Sequence, residues 1–112
     1  MKDDEEKTER RNCRRFPFRE EILLDGIHCC TSYDISEAGI YVSGARYFDE
    51  DDVVEITLPI GEEKITVKGQ VKNCQPGIGA GLVFIDLHND QRARIRGFIE
   101  SIAKSYEKQM GA

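Results

Sequence analysis

Glu20-Glu21-Ile22-Leu23-Leu24-Asp25-Gly26-Ile27-His28-Cys29-Cys30-Thr31-Ser32-Tyr33 decides the architecture of this chain. Two runs of aliphatic and β-branched residues flank Asp-Gly, a dipeptide that accepts the positive φ angles of a tight hairpin turn. The reading is a strand over residues 20–24, a two-residue turn at Asp25-Gly26, and a returning strand over 27–33. Mainly β architecture follows, provided that further strands pair with this hairpin.

Downstream the chain supplies them. Asp34-Ile35-Ser36-Glu37-Ala38-Gly39 continues the returning strand. With a side-chain period of two, Asp34 and Ser36 share a face while Ile35 points inward. Gly39 permits a tight bend or a close ligand approach, and residues 40–42 resume the strand. A second hairpin is expected from residues 53–58 and 64–74 around Pro59-Ile60-Gly61. Within it Ile65, Val67 and Val71 face the core, and Thr66, Lys68, Gln70 and Lys72 face water. Pro76-Gly77 then turns the chain into a strand over 79–85 that is apolar on both faces. Short antiparallel strands at such spacing make a small barrel or a sandwich.

From about Asp90 the period changes. Ile95, Phe98, Ile99, Ile102, Ala103 and Tyr106 recur at helical spacing, which predicts a C-terminal helix over 89–108 that packs this stripe on the barrel. Asn89 or Asp90 is expected to cap it. Arg92, Arg94 and Arg96 alternate and so scatter around the helix without forming a phosphate clamp.

Upstream lies the most unusual composition. Residues 10–19, Arg-Arg-Asn-Cys-Arg-Arg-Phe-Pro-Phe-Arg, hold five of the nine arginines, and no lysine interrupts them. Arginine offers a planar, permanently charged fork that matches phosphate oxygens and the O6/N7 edge of guanine. Arg10 and Arg14, and Arg11 and Arg15, are spaced by four, a geometry suited to a ligand with two phosphates and two guanines. The competing reading is a solvated basic tail. Phe16 and Phe18 around Pro17 are expected to anchor this arm to the core, and the acidic residues 1–9 to be disordered.

The 112 residues suffice for one modest core. A net charge of -5 argues against broad nucleic-acid or DNA binding, so an anionic ligand must be drawn locally by the arm. No apolar run reaches membrane-spanning length, the first residues lack a signal peptide's apolar region, and a cytoplasmic location is expected. The four cysteines, Cys13, Cys29, Cys30 and Cys74, show no Cys-x-x-Cys spacing. Neighbouring strand residues such as His28, Cys29 and Cys30 diverge, which counts against a metal site. Cys13 among arginines is the thiol whose pKa should fall. No nucleophile with a base, carboxylate pair or phosphate-binding loop is present, so catalysis is not expected and no catalytic residue or cofactor is assigned.

Two motifs, Arg11-x-x-x-Arg15 and Asp34-x-Ser36-x-x-Gly39, occur without substitution. With Phe16-Pro17 after the first and Gly79-Ala80-Gly81-Leu82-Val83-Phe84 later, the chain resembles the PilZ domain family of bacterial cyclic di-GMP receptors over roughly residues 9–106. The resemblance implies a six-stranded antiparallel β-barrel with a C-terminal helix. It also implies a stand-alone second-messenger receptor that signals to a protein effector in motility, secretion or exopolysaccharide control. Arg10, Arg11, Arg15, Asp34, Ser36 and Gly39 are the implied ligand-binding residues, with Arg14 and Arg19 as lesser candidates. Arg10 also allows for two ligands, as a mutually intercalated dimer. Two alternatives stay open: an adaptor of PilZ type that binds protein without nucleotide, and single-stranded RNA binding by the arm. For Asp34 and Ser36 the bland reading is a turn in which each side chain bonds its own backbone.

Overall fold

A computed structural model of the protein describes residues 14–44 and 48–111, with side chains to residue 108. Among the described residues seven strands and one helix follow one another: β1 (Phe16–Pro17), β2 (Glu21–Leu24), β3 (His28–Ile35), β4 (Gly39–Val42), β5 (Val53–Ile60), β6 (Glu63–Gln75), β7 (Gly79–Ile85) and α1 (Asn89–Gly111). The antiparallel sheet runs β1-β3-β2-β5-β6-β7-β4, and β3 also pairs with β4. That last pairing closes six strands into the expected barrel. The two-residue β1 is an addition.

β1 and β2 lie in tandem along β3, Phe16 opposite Ile35 and Glu21 opposite Thr31. The gap between them is bridged by Ser32, fully buried, whose hydroxyl donates to Phe18 O and accepts from Glu20 N at 3.0 Å. A buried hydroxyl placed there satisfies backbone groups that the interrupted ladder leaves over.

Inward residues of every barrel strand fill the core, among them Ile22, Leu24, Ile35, Ile40, Ile56, Leu58, Val71 and Leu82. Ile95 and Ile99 of α1 add to it, and Phe98 and Tyr106 of the same stripe pack on Phe18 and Phe16, at centroid distances of 5.5 and 5.6 Å. The root of the arginine arm is thus clamped between β3 and the helix, as the two aromatics led one to expect.

Three local expectations change. The first turn has three residues rather than two, because Leu24 pairs with His28 and leaves Ile27 outside the ladder. Asp25 and Gly26 do take positive φ, 53° and 73°. Asp25, however, is also tied to β5 through Glu55, by N–H to O at 2.8 Å and by its carboxylate to Glu55 N at 2.9 Å. The helix is capped by neither Asn89 nor Asp90. His88 occupies that position, its carbonyl accepting from Arg92 N, while the Gln91 side chain accepts from His88 N at 2.9 Å. Pro59 lies inside β5 rather than in a turn, opposite Lys64. The pairing of β5 with β2 stops at Thr57, so Pro59 needs no N–H toward that neighbour.

Candidate functional site

Strict alternation along β3, with Cys30 and Ser32 inward, would point Asp34 into the core. The structure avoids this with a β-bulge between Ser32 and Asp34, where β3 meets Val42 and Tyr41 of β4. Tyr33 and Asp34 therefore both face outward, and Ile35 returns to the core. Such bulges re-aim a side chain at the cost of one unpaired residue.

Asp34 meets Arg15 there. Arg15 Nε donates to Asp34 Oδ1 at 2.6 Å, Nη2 forms an ion pair with the same oxygen at 2.6 Å, and Nη1 donates to Ser36 Oγ at 3.4 Å. Arginine and carboxylate are about half and one-third exposed, so the pair contributes under about 1 kcal/mol and rearranges readily.

Ser36 serves the turn as well as the arginine. Its hydroxyl accepts from Ala38 N at 3.1 Å and Gly39 N at 3.3 Å, and its own N–H donates to Gly39 O at 2.8 Å. It is fully buried. The local turn and the arginine contact are therefore both present, and the hydroxyl itself is not displayed at the surface.

Gly39 is required by its neighbour strand. A Cβ there would lie 2.1 Å from Leu82 O of β7. The close approach that the glycine allows is thus made by the barrel's own backbone, and Ala38 O accepts from Phe84 N at 2.9 Å beside it.

Next to this constellation a groove of about 300 Å³ runs over β4, β7 and β6, with Arg15, Tyr41, Lys72 and Asn73 in its walls. Lys72 and Asn73 are adjacent in sequence and both turn outward because β6 carries a second bulge between Val71 and Asn73. Sequence reasoning left out Tyr41 and Asn73, since only the register sets Tyr41 beside Asp34 and Asn73 farther along the same groove.

Arg14 does not join the site: its guanidinium lies 5.0 Å over the Phe16 ring. Arg19 likewise stacks over Tyr33, at 5.9 Å. Arg10, Arg11, Cys13 and the acidic residues 1–9 lie outside the described residues. Glu37, in the turn between Ser36 and Gly39, binds Arg96 of α1 at 3.0 Å, and Arg94 binds Glu63 at 3.1 Å. Two of the alternating helix arginines thus pair with acids of the barrel. Burial, and then neighbouring Cys29, push the Cys30 thiol up, which makes it a poor nucleophile. Among the described residues no group of His, Cys, Asp and Glu could hold a metal ion, and no helix is long and apolar enough to cross a membrane.

A small closed barrel thus holds Arg15 on its outer face through Asp34 and Ser36, beside an open groove. The family model described as PilZ domain matches residues 9–101, and the chain belongs to that family. Among solved structures, the PilZ domain of CeSA from a cellulose-synthesizing bacterium is similar with a TM-score of 0.61 and 18% identity, covering 80% of this chain and 98% of that one. The Borreliella burgdorferi PlzA protein in complex with c-di-GMP is similar with a TM-score of 0.56 and 15% identity. That match covers 87% of this chain but 45% of PlzA. At such identities these likenesses speak for the fold. No curated protein matches the chain in sequence.

Proposed function

We propose that this domain is a cyclic di-GMP receptor that binds the messenger in the groove beside Asp34 and passes the signal to a protein partner. The observation that carries the reading is the joining of the two motifs: Arg15 of the first is held by Asp34 and Ser36 of the second, from 19 and 21 residues away. Membership of the PilZ family supports it, as does the solved complex of PlzA with c-di-GMP. Arg11, one motif period before Arg15, together with Arg10, supplies further forks for phosphate and for the guanine Hoogsteen edge, and one or two ligands are bound. Gly39 keeps the floor close-packed, and Ser36 holds the turn that presents Asp34. The role is binding, in the cytoplasm of a bacterium, without a cofactor.

The signal leaves through α1. Phe16 and Phe18 carry the arm's root onto Tyr106 and Phe98, and Glu37 ties the ligand turn to Arg96. Drawing the arm over a ligand therefore loads the helix at two points, and the partner reads that change.

The test is isothermal titration of the purified protein with cyclic di-GMP, with GTP and cyclic di-AMP as controls. Saturable binding of cyclic di-GMP alone is expected. No heat with the folded protein would leave the nucleotide-free adaptor as the reading.

A further inference from the structure

The outer face of the barrel carries one continuous cross-strand row. Asp34 of β3 is paired with Tyr41 of β4, Tyr41 with Gly81 of β7, and Gly81 with Asn73 of β6. Three strand spacings separate its ends, about 14 Å. At one end sits the Arg15 fork; at the other the β6 bulge displays Lys72 and Asn73 together.

Tyr41, between them, is held as a rigid plate. Its ring lies across the glycines of β7: a Cβ added at Gly79 would come within 2.8 Å of Tyr41 Cε1, and one at Gly81 within 3.7 Å of Cδ2. Its hydroxyl donates to Gln75 Oε1 at 2.8 Å, and the Tyr33 ring stands beside it at 5.8 Å. An aromatic covering strand glycines is a known stabilising device in sheets. That role alone would not call for an amide and an ammonium turned into the same groove by a bulge. Lys72 is only loosely committed, to Asp51 at 3.6 Å with both groups well exposed.

We propose that Tyr41, Asn73 and Lys72 form a guanine-nucleotide subsite. A guanine base stacks on the Tyr41 ring, the Asn73 side-chain amide bonds the base edge, and the Lys72 ammonium lies on the adjoining phosphate. The subsite rests on the receptor reading above and deepens it: Arg15 and Asp34 hold one guanine, and the far end of the row holds another. That second base comes either from the same messenger molecule or from a second one intercalated with it. The titration stoichiometry, one or two ligands per protein, separates these sources.

The experiment combines titration of cyclic di-GMP with proton NMR of the ligand, on the wild-type protein and on Tyr41→Leu, Tyr41→Phe and Lys72→Ala. In the wild type a guanine H8 resonance moves upfield on binding, from the tyrosine ring current. Tyr41→Leu loses that shift and binds about tenfold more weakly, the scale of one base–aromatic stack. Tyr41→Phe retains the shift while affinity drops about two- to threefold, because the ring persists without its Gln75 anchor. Lys72→Ala, at an exposed position, weakens binding and flattens its salt dependence. Wild-type binding with an unshifted H8, or Tyr41→Leu with unchanged affinity and shift, overturns the subsite and leaves the receptor reading standing. Absence of wild-type binding overturns both. If Tyr41→Leu does not fold by circular dichroism, the wild-type shift and Lys72→Ala decide: no shift and no loss would reject the subsite.

Discussion

All three guanidinium nitrogens of Arg15 are already in contact, Nε and Nη2 with Asp34 Oδ1 and Nη1 with Ser36 Oγ. Its planar fork lines the groove half-exposed and carries five N–H donors, so it can meet a ligand while still held, a combination that a lysine cannot reproduce. Arg15→Ala is therefore expected to weaken cyclic di-GMP binding at least tenfold, about 1.4 kcal/mol, and Arg15→Lys to restore little of it, both by titration calorimetry. Ser36 and Gly39 predict a different phenotype. Ser36→Ala takes the acceptor from the buried N–H of Gly39 and from the part-buried N–H of Ala38, and should lower unfolding stability by about 1–3 kcal/mol in urea titrations. Gly39→Ala sets a methyl against Leu82 O and should cost at least as much as ordinary core overpacking, about 1–3 kcal/mol, in the same assay. Loss of ligand binding in these two variants would accompany loss of structure, whereas Arg15→Ala should melt like the wild type.

At the scale of elements, the limits of sequence reading are physical. Periodicity of two finds strands well where one face is buried, as in Ile65, Val67 and Val71 of β6. It fails at a bulge, and the two bulges at Tyr33 and Lys72 are what turn Asp34 and Asn73 outward. Each depends on a partner strand distant in sequence. The cap at His88 was hidden for a similar reason, since Gln91 serves it through its side chain and also donates to Thr66 O of β6 at 3.0 Å. By contrast the aromatic pair flanking Pro17 was legible, because a proline-fixed extended segment with alternating phenylalanines has few ways to hide both rings. Phe18→Ala is expected to lower stability by about 3–5 kcal/mol in urea unfolding, as for other buried phenylalanines. Arg96→Ala, which removes an exposed pair with Glu37, should change stability by less than about 1 kcal/mol. If α1 carries the signal, that variant should also bind messenger normally while failing to alter the partner.

For the whole molecule, charge separates a small-ligand receptor from a nucleic-acid binder. The protein is acidic overall, with a net charge of -5, and its arginines are concentrated in the arm. Binding of cyclic di-GMP should therefore weaken only gently with added salt, while a single-stranded RNA complex would show a slope that grows with each phosphate neutralised. Titrations at several salt concentrations, with cyclic di-GMP and with an unstructured oligoribonucleotide, measure the two slopes directly. The closure of β3 onto β4 has a further consequence for how the domain can be recognised. Every strand of the ring has a neighbour on each side over part of its length, but residues 58–60 of β5 and 63–67 of β6 run past their pairing with β2 and β7. Among the described residues, a visiting strand would find open backbone at the tip of the β5–β6 hairpin, where Pro59 brings no N–H and Gln91 already holds Thr66 O, so that edge is blunted rather than absent.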